Sequence, residues 1–217
     1  MTKREEHARQ LMEFDQPYRI LGAVAGMDEA GRGPLAGKVV TACVIMPEEP
    51  LLPWIDDSKK LSESRRERVY DEIMTYALAV GIGEIDAEEI DRINILEATK
   101  KAMRLAAGKV KADIYLIDAV TGLGLAGKEI PLIKGDAQSY SIAAASIIAK
   151  VTRDRIELLH GGLAVLDAIF PGKACGIVVD APEQAKARVD RQAEGGEARQ
   201  RAVEAQQALR DRKSTRL

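Results

Sequence analysis

Ala23-Val24-Ala25-Gly26-Met27-Asp28-Glu29-Ala30-Gly31-Arg32-Gly33 is an apolar run that stops on two adjacent carboxylates and passes at once into a glycine-flanked arginine. Uncharged, small and β-branched residues in succession fit a buried strand. Carboxylate oxygens suit hard divalent cations. Glycine lets a backbone approach a ligand closely, and arginine pairs with phosphate. The stretch therefore offers a metal seat beside an anion seat, a combination suited to phosphodiester chemistry. The plainer alternative is a solvated strand end followed by a common Gly-Arg-Gly loop.

Working outward, residues 1–22 read as a short polar helix and a connector. Val39–Met46 is a second strand, β-branched and stopped by Pro47. A Pro-rich loop with Trp54 leads through Asp57-Ser58-Lys59-Lys60-Leu61-Ser62 to a helix over Glu63–Tyr76, for which Ser62 is a natural N-cap. Ala79–Ile85 is a third strand and Asp86–Asp91 a short helix, and Asn94 can cap a helix over Ile95–Ala107. Ile114–Ile117 is a fourth strand ending at Asp118, and Ile130–Ile133 a short fifth. A long Ala/Ile-rich helix is expected from Gln138 to Arg155, broken after that by Gly161-Gly162. Three strands followed by alternating strand and helix predict a mixed α/β sheet with helices on both faces. Functional groups in such sheets gather at strand ends, where Asp28, Glu29 and Asp118 stand; Asp136 follows the last strand.

The 217 residues suffice for one substantial core, with 46% hydrophobic and 30% charged side chains. No apolar run approaches the roughly 18 residues of a membrane span, and the charged N-terminus does not resemble a signal peptide. A cytoplasmic chain with no membrane partner is expected. Cys43 and Cys175 make no disulfide framework, and His7 and His160 cannot build a histidine-rich site, so any metal must rest on carboxylates. The net charge of −2 gives no global basic signature, so contact with nucleic acid must come from local patches.

Five blocks in order resemble type 2 ribonuclease H (ribonuclease HII): Met27–Gly37, Asp57–Ser62, Asn94–Thr99, Leu116–Ala119, and Lys134–Arg155. The resemblance covers roughly Ala23–Arg155. It implies a ribonuclease H-like mixed five-stranded sheet flanked by helices. It also implies catalytic, metal-binding carboxylates at Asp28, Glu29, Asp118 and Asp136, holding two Mg²⁺ or Mn²⁺ ions. The substrate would be an RNA–DNA hybrid or ribonucleotide-containing DNA, cut 5′ to the ribonucleotide to leave 5′-phosphate and 3′-hydroxyl ends. Gly31, Arg32 and Gly33 would read the 2′-hydroxyl that distinguishes RNA from DNA. Lys59 and Ser139 are further candidate nucleic-acid contacts, Ser139 through the N-terminus of the long helix. A monomer is expected.

Three domains are expected: a polar extension (1–17), the catalytic domain (18–160), and an atypical helical or disordered segment (161–217). The last lacks the family's His-Lys-Gly-Tyr block, and no tyrosine follows Tyr140. The alternative function is therefore a catalytically weak nucleic-acid-binding remnant. Gly122-Leu123-Gly124-Leu125-Ala126-Gly127 matches a dinucleotide fingerprint in spacing, but that fingerprint must open a helix. Pro131 stands close behind it and forbids a helix interior, so a loop is expected. Arg153-Asp154-Arg155 reads as a salt-bridged helix end, and Ser141–Ala149 as a close helix–sheet packing surface.

Overall fold

A computed structural model describes residues 2–32 and 37–169, with side chains through Leu159. Gly33 and the segment from 170 onward lie outside the described residues, so the expectations placed on them are not taken further. The elements are α1 (Lys3–Arg19), β1 (Val24–Ala30), β2 (Val39–Ile45), α2 (Glu63–Tyr76), β3 (Ala79–Ile85), α3 (Ala87–Ile93), α4 (Ile95–Ala107), β4 (Ile114–Asp118), β5 (Lys128–Leu132) and α5 (Tyr140–Ile169). Two single 3₁₀ turns, Ser58–Lys60 and Gly135–Ala137, precede α2 and α5.

The sheet order is β3-β2-β1-β4-β5. β1 pairs antiparallel with β2 and parallel with β4, β3 joins β2 antiparallel, and β5 joins β4 parallel. This is the mixed sheet expected from the alternation of elements. β1 and β2 are buried almost throughout, because helices cover both faces. On one face Ala42 and Val44 pack with Leu11 and Met12 of α1, Val69 and Ile73 of α2, and the Ala143–Ala145, Ile147 and Ile148 surface of α5. On the other, Ala25, Met27, Cys43 and Tyr115 pack with Met103, Ala106 and Ala107 of α4.

Local chemistry explains the helix starts. Thr2 and Glu5 form a reciprocal capping box at α1. The Asn94 carboxamide oxygen accepts from the N–H groups of Leu96 and Glu97, with the Asn94 backbone at φ 70° and ψ 161°. Ser62 stands at the N-cap of α2 but makes no side-chain cap bond.

Two expectations change. Residues 1–17 are no separate extension: Ala8, Leu11, Met12 and Asp15 of α1 are buried. Asp15 accepts from both the backbone N–H (2.9 Å) and the hydroxyl (2.7 Å) of Ser141, so α1 caps the start of α5. Burial raises the Asp15 pKa, and the bonds from Ser139 and Ser141 and the charge of Arg19 offset only part of that rise. The second change is at Gly161-Gly162, which does not break α5; the helix continues to Ile169. Glycine weakens a helix by about 1 kcal/mol per residue and does not by itself stop one.

α5 approaches β1 so closely that only glycine fits between them. A Cβ at Gly26 would lie 2.0 Å from the carbonyl carbon of Ser141. Backbone cannot retreat as a side chain can, and overpacking costs typically 1–3 kcal/mol. Gly26→Ala is expected to lose about 3 kcal/mol or more, a fall in Tm on the order of 10 °C. Calorimetry checks this, and a Tm within 2 °C of the parent would show that α5 can slide.

Candidate metal centre

The parallel register aligns Met27 of β1 with Ile117 of β4, so the next residues, Asp28 and Asp118, end neighbouring strands side by side. Side chains alternate along a strand, and both aspartates fall on the face covered by α5. Asp136 arrives from the 3₁₀ turn just before α5. Asp28, Asp118 and Asp136 each offer an oxygen within 4.8 Å of the others. Gly135 N–H donates to Asp118 Oδ1 (2.7 Å), joining the 3₁₀ turn to the strand end.

Glu29 takes the opposite strand phase and is not one of that trio. Its Oε1 accepts from Arg32 (3.3 Å), whereas its Oε2 is buried without a partner among the described residues. An orphaned buried carboxylate oxygen beside three converging carboxylates leaves ligand capacity unused. An all-oxygen donor set of this kind fits Mg²⁺ or Mn²⁺.

Burial is the largest influence on Asp28 and raises its pKa well above its ordinary value; Glu29 and Asp118 push it the same way, against a hydrogen bond from Ser146. Asp118 is raised by burial and by Asp136. Glu29 is raised by burial, which Arg32 opposes. The cluster therefore resists full ionisation without a cation.

Lys59 is the cation at hand. Its Nζ donates to Asp136 Oδ2 at 3.3 Å, although the side chain is 78% exposed. Burial lowers its pKa, but Asp136, Asp57 and Asp28 together outweigh that and raise it. The Lys59 turn is fixed at both ends. Asp57 accepts from Lys59 N–H (2.9 Å), and Ser58 Oγ meets Ser146 Oγ of α5 at 2.9 Å. Ser146 thus touches both Asp28 and the Lys59 turn. The sequence reading missed it, and its signal was a lone hydroxyl pair, Ser141 and Ser146, in an otherwise apolar helix start.

Gly31 has φ +110°, and a Cβ there would lie 2.4 Å from the Lys38 carbonyl oxygen, so glycine is required for the turn itself. Arg153 braces this loop by donating to Lys38 O (3.2 Å). It also pairs with Glu157 and Asp154 with Lys150, so the stretch is ion-paired as expected, but it is not the helix end expected, since α5 runs on to Ile169. Ser139 does not face solvent as expected. It is fully buried, and its Oγ accepts from Ile142 N–H at 3.2 Å, capping α5 from within.

The Gly122–Gly127 segment is a loop. Its N–H groups at Leu123 and Leu125 are taken by the Glu129 carboxylate (3.0 and 2.8 Å). Burial alone would raise Glu129, but backbone donors outweigh it and hold the pKa below the usual range. A cavity of about 720 Å³ lies by this loop, lined by Arg104, Lys111, Asp113, Tyr115 and Leu125, and shares no residue with the carboxylate cluster.

A mixed five-stranded sheet with aspartates converging at the ends of its central parallel strands defines the ribonuclease H-like class. The ribonuclease H2 of Pyrococcus horikoshii OT3 superposes with a TM-score of 0.56 at 30% identity, over 64% of this chain and 75% of that one. The Ribonuclease HII family model matches residues 25–164. The chain therefore belongs to the ribonuclease HII family. It is 56% identical over 145 residues to the ribonuclease HII of Acetivibrio thermocellus, covering 66% of this chain and 56% of that protein. With the ribonuclease HII of Lachnoclostridium phytofermentans it shares 48% over 166 residues, 76% of this chain and 63% of that one. The chain thus spans about three-fifths of the length of these curated relatives.

A carboxyl whose folded pKa is raised binds its proton more readily when folded. Between the ordinary aspartate value near 3.9 and the raised folded value, the native state carries more protons, so stability falls as pH rises. Asp28→Asn removes that contribution while keeping an acceptor for the Glu29 N–H, which Asp28 Oδ1 binds at 2.7 Å. The metal-free variant is expected to melt above the parent at pH 8, with the gap closing toward pH 5. Mg²⁺ at a hundredfold excess over Kd stabilises by about 2.7 kcal/mol, or roughly 5–10 °C, in the parent, and the variant should lose most of that gain. Melting curves at both pH values, with and without Mg²⁺, check this; a pH-independent gap would mean that Asp28 ionises freely.

Proposed function

We propose that this chain is a divalent-metal-dependent endonuclease that hydrolyses the RNA strand of RNA–DNA hybrids. Within duplex DNA it would cut 5′ to embedded ribonucleotides, leaving 5′-phosphate and 3′-hydroxyl ends. The observation that carries the reading is the trio of aspartate oxygens within 4.8 Å in a chain of the ribonuclease HII family.

Asp28, Asp118 and Asp136 would hold the ions, with Glu29 supplying its unpartnered oxygen to the same centre. Two Mg²⁺ or Mn²⁺ ions at such a site supply an activated water on one side of the phosphorus and charge stabilisation for the leaving 3′-oxygen on the other. The protein's own part is positional. Ser146 orients Asp28, Gly135 N–H orients Asp118, and the Asp57-capped turn presents Lys59 beside Asp136. Once Asp136 turns to a metal, the exposed Lys59 ammonium becomes available to a substrate phosphate. Arg32 reaches Glu29, so the Gly31–Arg32 backbone would be the part to test for a 2′-hydroxyl, and Arg32, freed from Glu29, would hold the neighbouring phosphate.

A second reading, a binding protein with weak catalysis, is favoured by one observation, the lack of any tyrosine after Tyr140 that could stack on a base. Such stacking contributes about 1–3 kcal/mol per base.

A DNA duplex bearing one ribonucleotide separates the two. With Mg²⁺ the full chain should nick it 5′ to the ribonucleotide, and chelation should stop the reaction. Asp136→Asn keeps the shape of the carboxylate but not its charge, and should reduce turnover at least a hundredfold while leaving binding intact. A variant within threefold of the parent, under about 1 kcal/mol of barrier, removes Asp136 from the metal centre. A parent that binds without nicking establishes the second reading.

A further inference from the structure

Trp54 is held between two arginines. The guanidinium carbon of Arg4 in α1 lies 3.7 Å from the indole centroid, and that of Arg65 in α2 lies 3.8 Å from it. Two guanidiniums that close to one centroid cannot share a face, so they cover opposite faces, and two positive charges sit on a single ring. Cation–π attraction supports each contact singly, but the two charges repel one another. Among the described residues neither arginine has a carboxylate within 4.0 Å to relieve this. Of the acids close to them in sequence, Asp56 is committed to His7 (3.2 Å) and Lys60 (3.0 Å), and Glu5 to the capping box.

The stack is continuous with the metal centre. Trp54 opens the segment that ends in the Ser58–Lys60 turn, whose Lys59 reaches Asp136. Lys59 stands five positions after Trp54, so the two lie at most about 17 Å apart, no more than about five base-pair steps at 3.4 Å each. The other end of the segment is also fixed, since Arg66, next to Arg65, donates to the carbonyls of Ser58 (2.8 Å) and Leu61 (3.2 Å). Cations held on a ring, Arg4 exposed and Arg65 half-buried, with no carboxylate partner among the described residues and no more than about half a turn of duplex from Lys59, suit a sugar–phosphate backbone.

We propose that Arg4 and Arg65, held on the two faces of Trp54, form a phosphate-binding clamp for the duplex arm flanking the cleavage point. This deepens the nuclease reading and rests on it for the identity of the ligand. Each arginine neutralises one phosphate, Trp54 keeps both from folding back onto the protein, and no base is read.

The probe is a plain 20-base-pair DNA duplex, which carries no ribonucleotide and is not cut, bound to the full chain between 50 and 200 mM salt. Each phosphate contact contributes about 0.9 to the slope of log K against log salt. The double variant Arg4→Gln/Arg65→Gln should lower that slope by about 1.8 and weaken binding severalfold at 100 mM. The double variant Arg4→Lys/Arg65→Lys should keep most of the slope, since it keeps the charge. Arg4→Gln alone, at an exposed first-turn position, should lower the slope by about 0.9 and serves if the double variant does not fold. A glutamine variant with an altered Tm but the parental slope overturns the clamp and leaves a stacking staple between α1 and α2. If the parent nicks the ribonucleotide duplex while the slopes stay parental, the clamp fails and the nuclease reading stands. If the slopes fall as expected and the parent does not nick, the nuclease reading fails and the clamp stands. A parent that does not bind the plain duplex overturns the clamp.

Discussion

The parallel pairing of β1 with β4 is the constraint on which the rest of this structure depends. With Met27 opposite Ile117, Asp28 and Asp118 must emerge together at the ends of adjacent strands, on one face. A slip of one residue would turn one of them to the opposite face. The register is specified because both faces are buried: Val24, Leu116 and Ile142 form one cluster below the aspartates, and Ala25, Met27 and Ile117 belong to another across the sheet. α5 then has one place to lie, over Gly26, and its preceding turn delivers Asp136 to the pair. Apolar packing, which has no interest in carboxylates, is what brings them together.

That arrangement is electrostatically unfavourable by itself. Two like charges about 4 Å apart repel by about 1 kcal/mol in water and about 4 kcal/mol at the effective dielectric of a protein surface, and burial adds desolvation to each. The raised pKa values of Asp28, Asp118 and Glu29 are the same fact expressed as protonation. A core of alanines and isoleucines in α5 must supply the stability that the site consumes. Lys59 relieves only part of the repulsion, since so exposed an ion pair is worth little. A divalent ion relieves far more, and affinity for it is the other side of the repulsion.

The parts of the fold that were legible in the sequence share a cause. α4 matches its expected bounds because Asn94, an apolar stripe and Gly108 mark both ends, and the strands were visible as short apolar runs closed by Asp, Gly or Pro. The convergence of Asp28, Asp118 and Asp136 was readable because strand ends in such sheets meet by topology. What was not legible depended on partners distant in sequence. Asp15 lies 126 residues from Ser141, so nothing near it signalled a core role for α1. Ser139 carries the local signature of an exposed N-cap but is fully buried, with Asp15 of α1 bonded to it from far along the chain. Arg4, Trp54 and Arg65 come from three separate segments, and no periodicity links them.

The burial of Ser139 bears on how a negatively charged chain could hold nucleic acid. An open helix N-terminus beside the carboxylates would have offered a ready phosphate seat, but Asp15 and Ser139 already occupy the one at α5. The Gly122–Gly127 loop is in the same position, its amides taken by Glu129. Both of these backbone anion sites are filled internally, so the burden shifts to side chains: Lys59, Arg32 and the arginines on Trp54. Side-chain cations are long-ranged and salt-sensitive where backbone amides are short-ranged and geometric. With a net charge of −2, association would be steered by a local field along the Arg4–Lys59 edge, and the carboxylates at its end would repel the same phosphates until metal ions screen them. On this reading metal binding and duplex binding reinforce one another, because each reduces the electrostatic cost of the other.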